Sequence, residues 1–122
     1  MTTQQVADRL VTLWRQKEYR QAQDELYADT IISLKPDKDS YRTVIGLTAI
    51  GQEEDAFLAR IEQWHENTIS DPVIGGAWFS VAMTLDVTMT MPNRKPSRRV
   101  KLDEICVHKV VDGQITNEQF FM

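Results

Sequence analysis

Glu104, Cys106 and His108 occupy alternate positions of one run, and Glu118, Phe120 and Met122 alternate along the next. In extended chain alternate residues share a face, so each trio points one way. Between the runs, Val111-Asp-Gly113 has the composition of a hairpin turn. Two carboxylates in a partly apolar cavity repel each other and are poorly solvated, which pushes at least one pKa toward neutrality. Such a pair divides into acid and base: Glu104 or Glu118 moves a proton on a substrate carbon or oxygen, and the other donates a proton or orients a water. A structural role competes, because buried glutamates are commonly tied to a helix end or to Arg and Lys. Hairpin register decides whether the pair exists, since a slip of one residue sends every side chain to the opposite face. A two-residue type I′ turn pairs Val111 with Gln114 and leaves Glu104 and Glu118 on opposite faces. A three-residue turn with Gly113 left-handed in a bulge pairs Val110 with Gln114 and brings the two glutamates to one face.

Other residues offer less chemistry. Cys106 and His108 stand ~6.5–7 Å apart along a strand, long for a thiolate–imidazole hydrogen bond, which disfavours a nucleophilic dyad. His65 follows Trp64 where helical spacing gives way to strand, and is a candidate for the pocket mouth. Trp14, Tyr27, Trp64 and Trp78 can stack a flat ligand, although Trp14 and Trp64 fall first on core positions of helices. Asp86 is a further ligand candidate whose access depends on which face of its strand points inward. No glycine-rich phosphate loop, G-x-S-x-G elbow or H-E-x-x-H motif occurs, so nucleotide use and metal hydrolysis are unsupported. A single cysteine precludes an internal disulfide, and with two histidines it falls short of the usual zinc sets; no metal and no cofactor are expected.

Three helices and a set of strands must position these groups. Val6, Leu10, Leu13 and Trp14 define a first helix capped by Thr2 or Thr3, and Tyr19, Ala22, Leu26 and Tyr27 a second. Thr30 to Lys35 is a β-rich run that Pro36 ends, and Pro36 to Ser40 forms a loop. A third helix is expected from about Thr48, with Glu53, Glu54 and Asp55 in its early turns favoured by the dipole and Ile50, Phe57, Leu58, Ile61 and Trp64 buried. From His65 the period becomes two: a short strand to Ser70, then a long one from Gly76 to Met91. On the long strand Phe79, Val81, Met83, Leu85, Val87 and Met89 share one face, expected to pack on the helices. The opposite placement would turn Asp86 and Thr88 inward. Strands from Arg98 to Val110 and from Gln114 to Met122 complete an α+β order with helices on one face of a bent sheet.

With 122 residues, 42% hydrophobic and 26% charged, the chain fits one globular domain spanning 1–122. Arg94, Lys95, Arg98, Arg99 and Lys101 gather five of the 14 basic residues, a knot on a body otherwise carrying nine against 18 acids. This knot lacks interleaved aromatics and reads as a solvated hairpin tip, so no nucleic-acid partner is expected. The amino end lacks a basic and apolar leader pattern, and no stretch approaches the roughly 20 apolar residues that span a bilayer. A soluble, cytoplasmic protein without a membrane partner is the expectation.

The element order, with Gly46-Leu-Thr-Ala-Ile50, Leu85-Asp-Val-Thr88, Asp103-Glu104, Asp112-Gly113 with Ile115, and Glu118-Gln-Phe-Phe121, resembles the SnoaL-like branch of the nuclear transport factor two-like superfamily. The resemblance spans most of the chain. It implies a conical half-barrel whose curved sheet wraps the helices around a pocket, a fold shared by ketosteroid isomerase, polyketide cyclases, dehydratases and noncatalytic binding modules. Related chains often carry Tyr where this one has His108 and often end in Tyr where it has Met122, so two phenols are missing here. Ketosteroid isomerase directs an acid inward from the strand matching the one that bears Glu104, which favours the three-residue turn, with Cys106 opposite Glu118 and Glu104 opposite Phe120. Three function classes follow. One is a cofactor-independent isomerase, cyclase or dehydratase acting on a small apolar carbonyl compound through Glu104 and Glu118. The others are a noncatalytic hydrophobic-ligand binder and a dimeric interaction module. Sheet-to-sheet homodimerisation is expected under all three.

Overall fold

The computed structural model describes residues 1–93 and 95–122. Arg94 of the basic knot lies outside the described residues. Helix α1 (Thr3–Arg15) starts at a reciprocal cap in which the Thr2 side chain accepts from Gln5 N–H and the Gln5 side chain accepts from Thr2 N–H. It buries Val6, Ala7, Leu10, Val11, Leu13 and Trp14. Helix α2 (Tyr19–Leu26) packs beside it, and Tyr27 is already extended as the first residue of β1 (Tyr27–Asp37).

Strand β1 does not stop at Pro36. It runs on into a hairpin with β2 (Ser40–Ile45), where Pro36 pairs with Tyr41. Beyond Leu34 the strand has a partner only on its β2 side, so the missing proline N–H is tolerated there. Gly46, at φ 93° and ψ 144°, turns the chain from β2 into helix α3 (Leu47–Ala59), a backbone conformation close to the region reserved for glycine.

The helical spacing of Ile50, Phe57, Leu58, Ile61 and Trp64 overstates α3, which ends at Ala59. Ile61 and Trp64 belong to strand β3 (Ile61–Ile69), and Trp64 reaches the core by stacking on Tyr19 with ring centroids 6.3 Å apart. Short β4 (Val73–Gly75) folds onto β5 (Trp78–Met89), which pairs with β6 (Arg98–Val111); β7 (Gln114–Phe121) closes the chain. The sheet order is β2-β1-β7-β6-β5-β3, antiparallel throughout except for the parallel β1–β7 contact, and the three helices cover one face. All six odd residues from Phe79 to Met89 are buried, the first four in one core with the helices, so the face of β5 does not switch.

The β6–β7 hairpin corrects the expected register. Asp112 (φ 50°) and Gly113 (φ 76°) form a two-residue turn with both angles positive, and Val111 pairs with Gln114. A bulge then sets Val110 opposite Ile115 but Lys109 opposite Asn117, shifting everything beyond it by one residue. His108 therefore opposes Glu118 and Cys106 opposes Phe120, not Cys106 with Glu118 or Glu104 with Phe120. The shift restores the parity of the three-residue alternative, and Glu104, Cys106, His108, Glu118 and Phe120 still share the helix-covered face.

Candidate functional site

Burial deepens along the inner face of β6. Leu102 and Glu104 are half-buried, Cys106 and His108 fully buried. A cavity of about 410 Å³ lies at the shallower end, between the sheet and α3. Its aromatic walls are Trp14, Tyr19, Tyr27, Phe57 and Phe120, and its charged groups are Lys35, Arg42, Glu53, Glu54, Arg60, Glu104 and Glu118.

Glu118 is the deepest of these. Its strand lies between β1 and β6, so its cross-strand neighbours are Ser33 and His108. The register irregularity between Tyr27 and Ile32 bends β1 and brings Tyr27 to the same carboxylate. Tyr27 donates its hydroxyl proton to Glu118 Oε2 at 2.5 Å, Ser33 donates to Oε1 at 2.9 Å, and His108 Nε2 lies 3.3 Å from Oε2 without the alignment of a hydrogen bond. Burial raises the Glu118 pKa, but His108, Tyr27 and Ser33 outweigh it and hold the group below the ordinary carboxylate range. His108 is walled in by Phe79, stacked at 4.8 Å, and by the edges of Trp14 and Phe120.

Glu104 is different. No protein group donates a hydrogen bond to it among the described residues, and burial raises its pKa against a partial offset from Lys35. Glu54, on α3, is a third cavity carboxylate, one not expected in the site from sequence. Burial in the cavity wall, opposed by Lys35 and reinforced by Glu118, Glu104 and Asp55, lifts its pKa to about 7. A signal for it is present: Ile50, Glu54, Phe57 and Leu58 recur at i, i+4, i+7 and i+8, placing Glu54 on the stripe that α3 turns inward. Neighbouring Glu53 accepts from Arg42 at 2.5 Å and stands 3.8 Å from Lys35 Nζ.

Of the residues singled out from sequence, Glu104, Glu118, Trp14, Tyr27, Phe120 and Met122 line the cavity. Cys106 is sealed beneath it, its thiol 3.6 Å from Met83 Sδ and its pKa pushed well up by burial; His108 is sealed behind Glu118. Trp64 stands one ring removed, behind Tyr19. His65 is exposed, with Nε2 2.7 Å from Thr88 Oγ1. Asp86 lies on the outer face and takes two hydrogen bonds from Arg99, both 2.9 Å. Trp78 is exposed beneath the Lys109 ammonium. No group of His, Cys, Asp and Glu among the described residues has the arrangement of a metal site. No described helix is long and apolar enough to cross a membrane.

A curved, mostly antiparallel sheet closed on one face by three helices, with a carboxylate-bearing cavity between them, defines an α+β half-barrel. The chain belongs to the family of SnoaL-like domains, whose model matches residues 1–122. Its fold is similar to that of a Mesorhizobium loti protein assigned as a SnoaL-like polyketide cyclase (24% identity, TM-score 0.87, all of both chains covered). It is also similar to a Jannaschia protein with the same assignment (14% identity, TM-score 0.76, 98% of this chain and 83% of that one). A third structure, a protein with a ketosteroid isomerase-like fold from Catenulispora acidiphila in complex with trimethylamine, matches at 14% identity and TM-score 0.71 over 96% of this chain and 84% of that one. No curated protein matches the sequence.

Proposed function

We propose that the cavity binds a small, largely apolar carbonyl compound and that Glu54 moves a proton on it in a cofactor-independent isomerisation, cyclisation or dehydration. The supporting observation is a carboxylate held at about 7 in an aromatic-walled cavity, where it is ionised often enough to take a proton and basic enough to hold one. Lys35 faces the same space and supplies the donor for a carbonyl oxygen that gains negative charge as the adjacent carbon is deprotonated. Burial keeps the proton affinity of Glu54 high, and the negative charges of Glu118 and Glu104 add to it. Glu118 stays ionised and fixes the Tyr27 ring in the cavity wall. Membership of a family with polyketide-cyclase assignments among its structural neighbours supports this reaction class.

Carboxyl-detected NMR titration checks the premise without a known substrate. Glu54 should titrate near neutrality and move on ligand addition; titration near 4.5 removes the proton chemistry and leaves a noncatalytic binder. The proposal includes a homodimer formed through the outer sheet face. Ile32, Tyr41, Ile45, Ile105 and Phe121 are exposed there, Ile32 pairs with Ile45, Ile105 with Phe121, and the Tyr41 and Phe121 rings stand 6.3 Å apart. Light scattering at micromolar concentration should return twice the chain mass; a monomer removes this part of the proposal.

A further inference from the structure

The hydrogen-bond inventory of the cavity is lopsided. Tyr19 donates its hydroxyl proton to Asn67 and Tyr27 donates its own to Glu118, so both phenols turn only lone pairs toward a ligand. Glu54 and Glu104 accept nothing from the protein among the described residues, and Glu53 Oε2 is buried without a hydrogen-bond donor. Against these acceptors stand five side-chain donor groups. Arg42 is committed to Glu53, and Arg60 is turned to the Thr90 carbonyl and Met91 Sδ. The remaining three are the Trp14 indole N–H, the Gln23 amide and Lys35, whose ammonium sits 5.6 Å from the Phe120 ring centroid and 3.8 Å from Glu53 Oε2.

Charge follows the same pattern. Arg42 offsets Glu53, and Glu118 is held by His108, Tyr27 and Ser33, which leaves Glu54 and Glu104 against Lys35, itself 3.8 Å from Glu53 Oε2, and Arg60, whose guanidinium is turned to the Thr90 carbonyl. A ligand that completes this wall brings N–H donors and positive charge, and five aromatic rings stand ready to face a cation. An anionic ligand would meet two unpaired carboxylates.

Resting on the pocket reading above, we propose that the ligand carries a basic nitrogen, cationic at neutral pH, and that Glu104 is its principal seat. The amine donates to Glu104, the carbonyl end lies toward Lys35 and Glu54, and the apolar body packs on Phe57 and Phe120. The preference strengthens as pH rises through 7, because ionised Glu54 adds a second negative charge while the amine keeps its own.

Isothermal titration with 3-phenylpropylamine, 3-phenylpropanol and 3-phenylpropionate, matched in shape and different in charge, tests this. At pH 8 the amine should bind about tenfold tighter than the alcohol, with the carboxylate weakest of the three. At pH 5.5 the gap should narrow. Glu104→Gln should close most of it and Glu104→Asp should keep it, with circular dichroism confirming that both variants are folded. Equal affinity for amine and alcohol, or tighter binding of the carboxylate, overturns the amine assignment and leaves the pocket standing. Failure of all three probes to bind overturns the pocket reading and this inference with it. If Glu54 titrates near 4.5 while the amine preference persists at pH 8, the proton chemistry fails and the amine seat survives.

Discussion

Glu54→Gln is expected to lower the proposed proton-transfer activity by about 10²–10⁴-fold while making the protein more stable at pH 8. The two effects have one origin. Glu54 holds its proton more tightly in the folded protein, at about 7, than at its ordinary 4.5. Burial is the main cause; Glu118, Glu104 and Asp55 add to it and Lys35 opposes it. Between those two values the folded state binds more protons than the unfolded one, so stability is full below pH 4.5 and falls as pH rises toward 7. Glutamine has no charge to strand in the wall. The variant should lack that fall and, after a discount for partial solvation, stand about 1–3 kcal/mol above the wild type at pH 8. Calorimetric scans from pH 4 to 9 read the stability, and kcat/KM on a carbonyl substrate reads the chemistry. A variant that loses stability together with activity would make Glu54 a packing residue and sink its catalytic assignment.

Glu54 escapes a linear reading because two explanations of one segment compete. Three acids in the early turns of a helix are well accounted for by its dipole, and that account conceals that the middle one falls on the apolar stripe of Ile50, Phe57 and Leu58. Where a single periodicity rules, the sequence is easier to read. Strict alternation from Phe79 to Met89 specifies the buried face of β5 and turns Asp86 outward, because the opposite choice would expose six apolar side chains. The shared face of Glu104 and Glu118 is legible for a related reason: it depends only on parity, which a tight turn plus a bulge and a three-residue turn deliver alike. Their actual opposites are not legible. The bulge beyond Ile115 seats Glu118 between His108 and Ser33, and Ser33 arrives through a parallel contact with β1 that no local pattern encodes. The end of α3 is hidden in the same way, since Trp64 earns its burial from Tyr19 across the fold rather than from its own helix face.

The second large effect is thermodynamic. Glu118→Ala is expected to destabilise the fold by about 3–5 kcal/mol, because it deletes the acceptor on which buried donors converge. Tyr27 Oη and Ser33 Oγ would lose the acceptor of their hydroxyl protons at buried positions, and His108 would lose the carboxylate 3.3 Å from its Nε2. Glu118→Gln retains the volume and one acceptor, so about 1–3 kcal/mol is expected of it, with Tyr27 held less firmly in the cavity wall. Urea unfolding followed by tryptophan fluorescence checks both, the midpoint moving while the slope stays constant. The pH dependence carries the sign opposite to that of Glu54. The folded pKa of Glu118 lies below its ordinary 4.5, so the unfolded chain binds more protons there, and stability present above 4.5 is lost as pH falls through the folded value. Two carboxylates in one cavity thus bound the stability profile from both sides, Glu118 from the acid flank and Glu54 from the neutral one, and the wild type should be most stable at about pH 5. Glu118→Gln should flatten the acid flank and, by removing a negative charge that raises the Glu54 pKa, make the neutral flank shallower; Glu54→Gln should flatten the neutral one. A Glu118→Ala protein as stable as the wild type at neutral pH would mean that water reaches the Tyr27–Ser33–His108 cluster and that the buried carboxylate holds nothing in place.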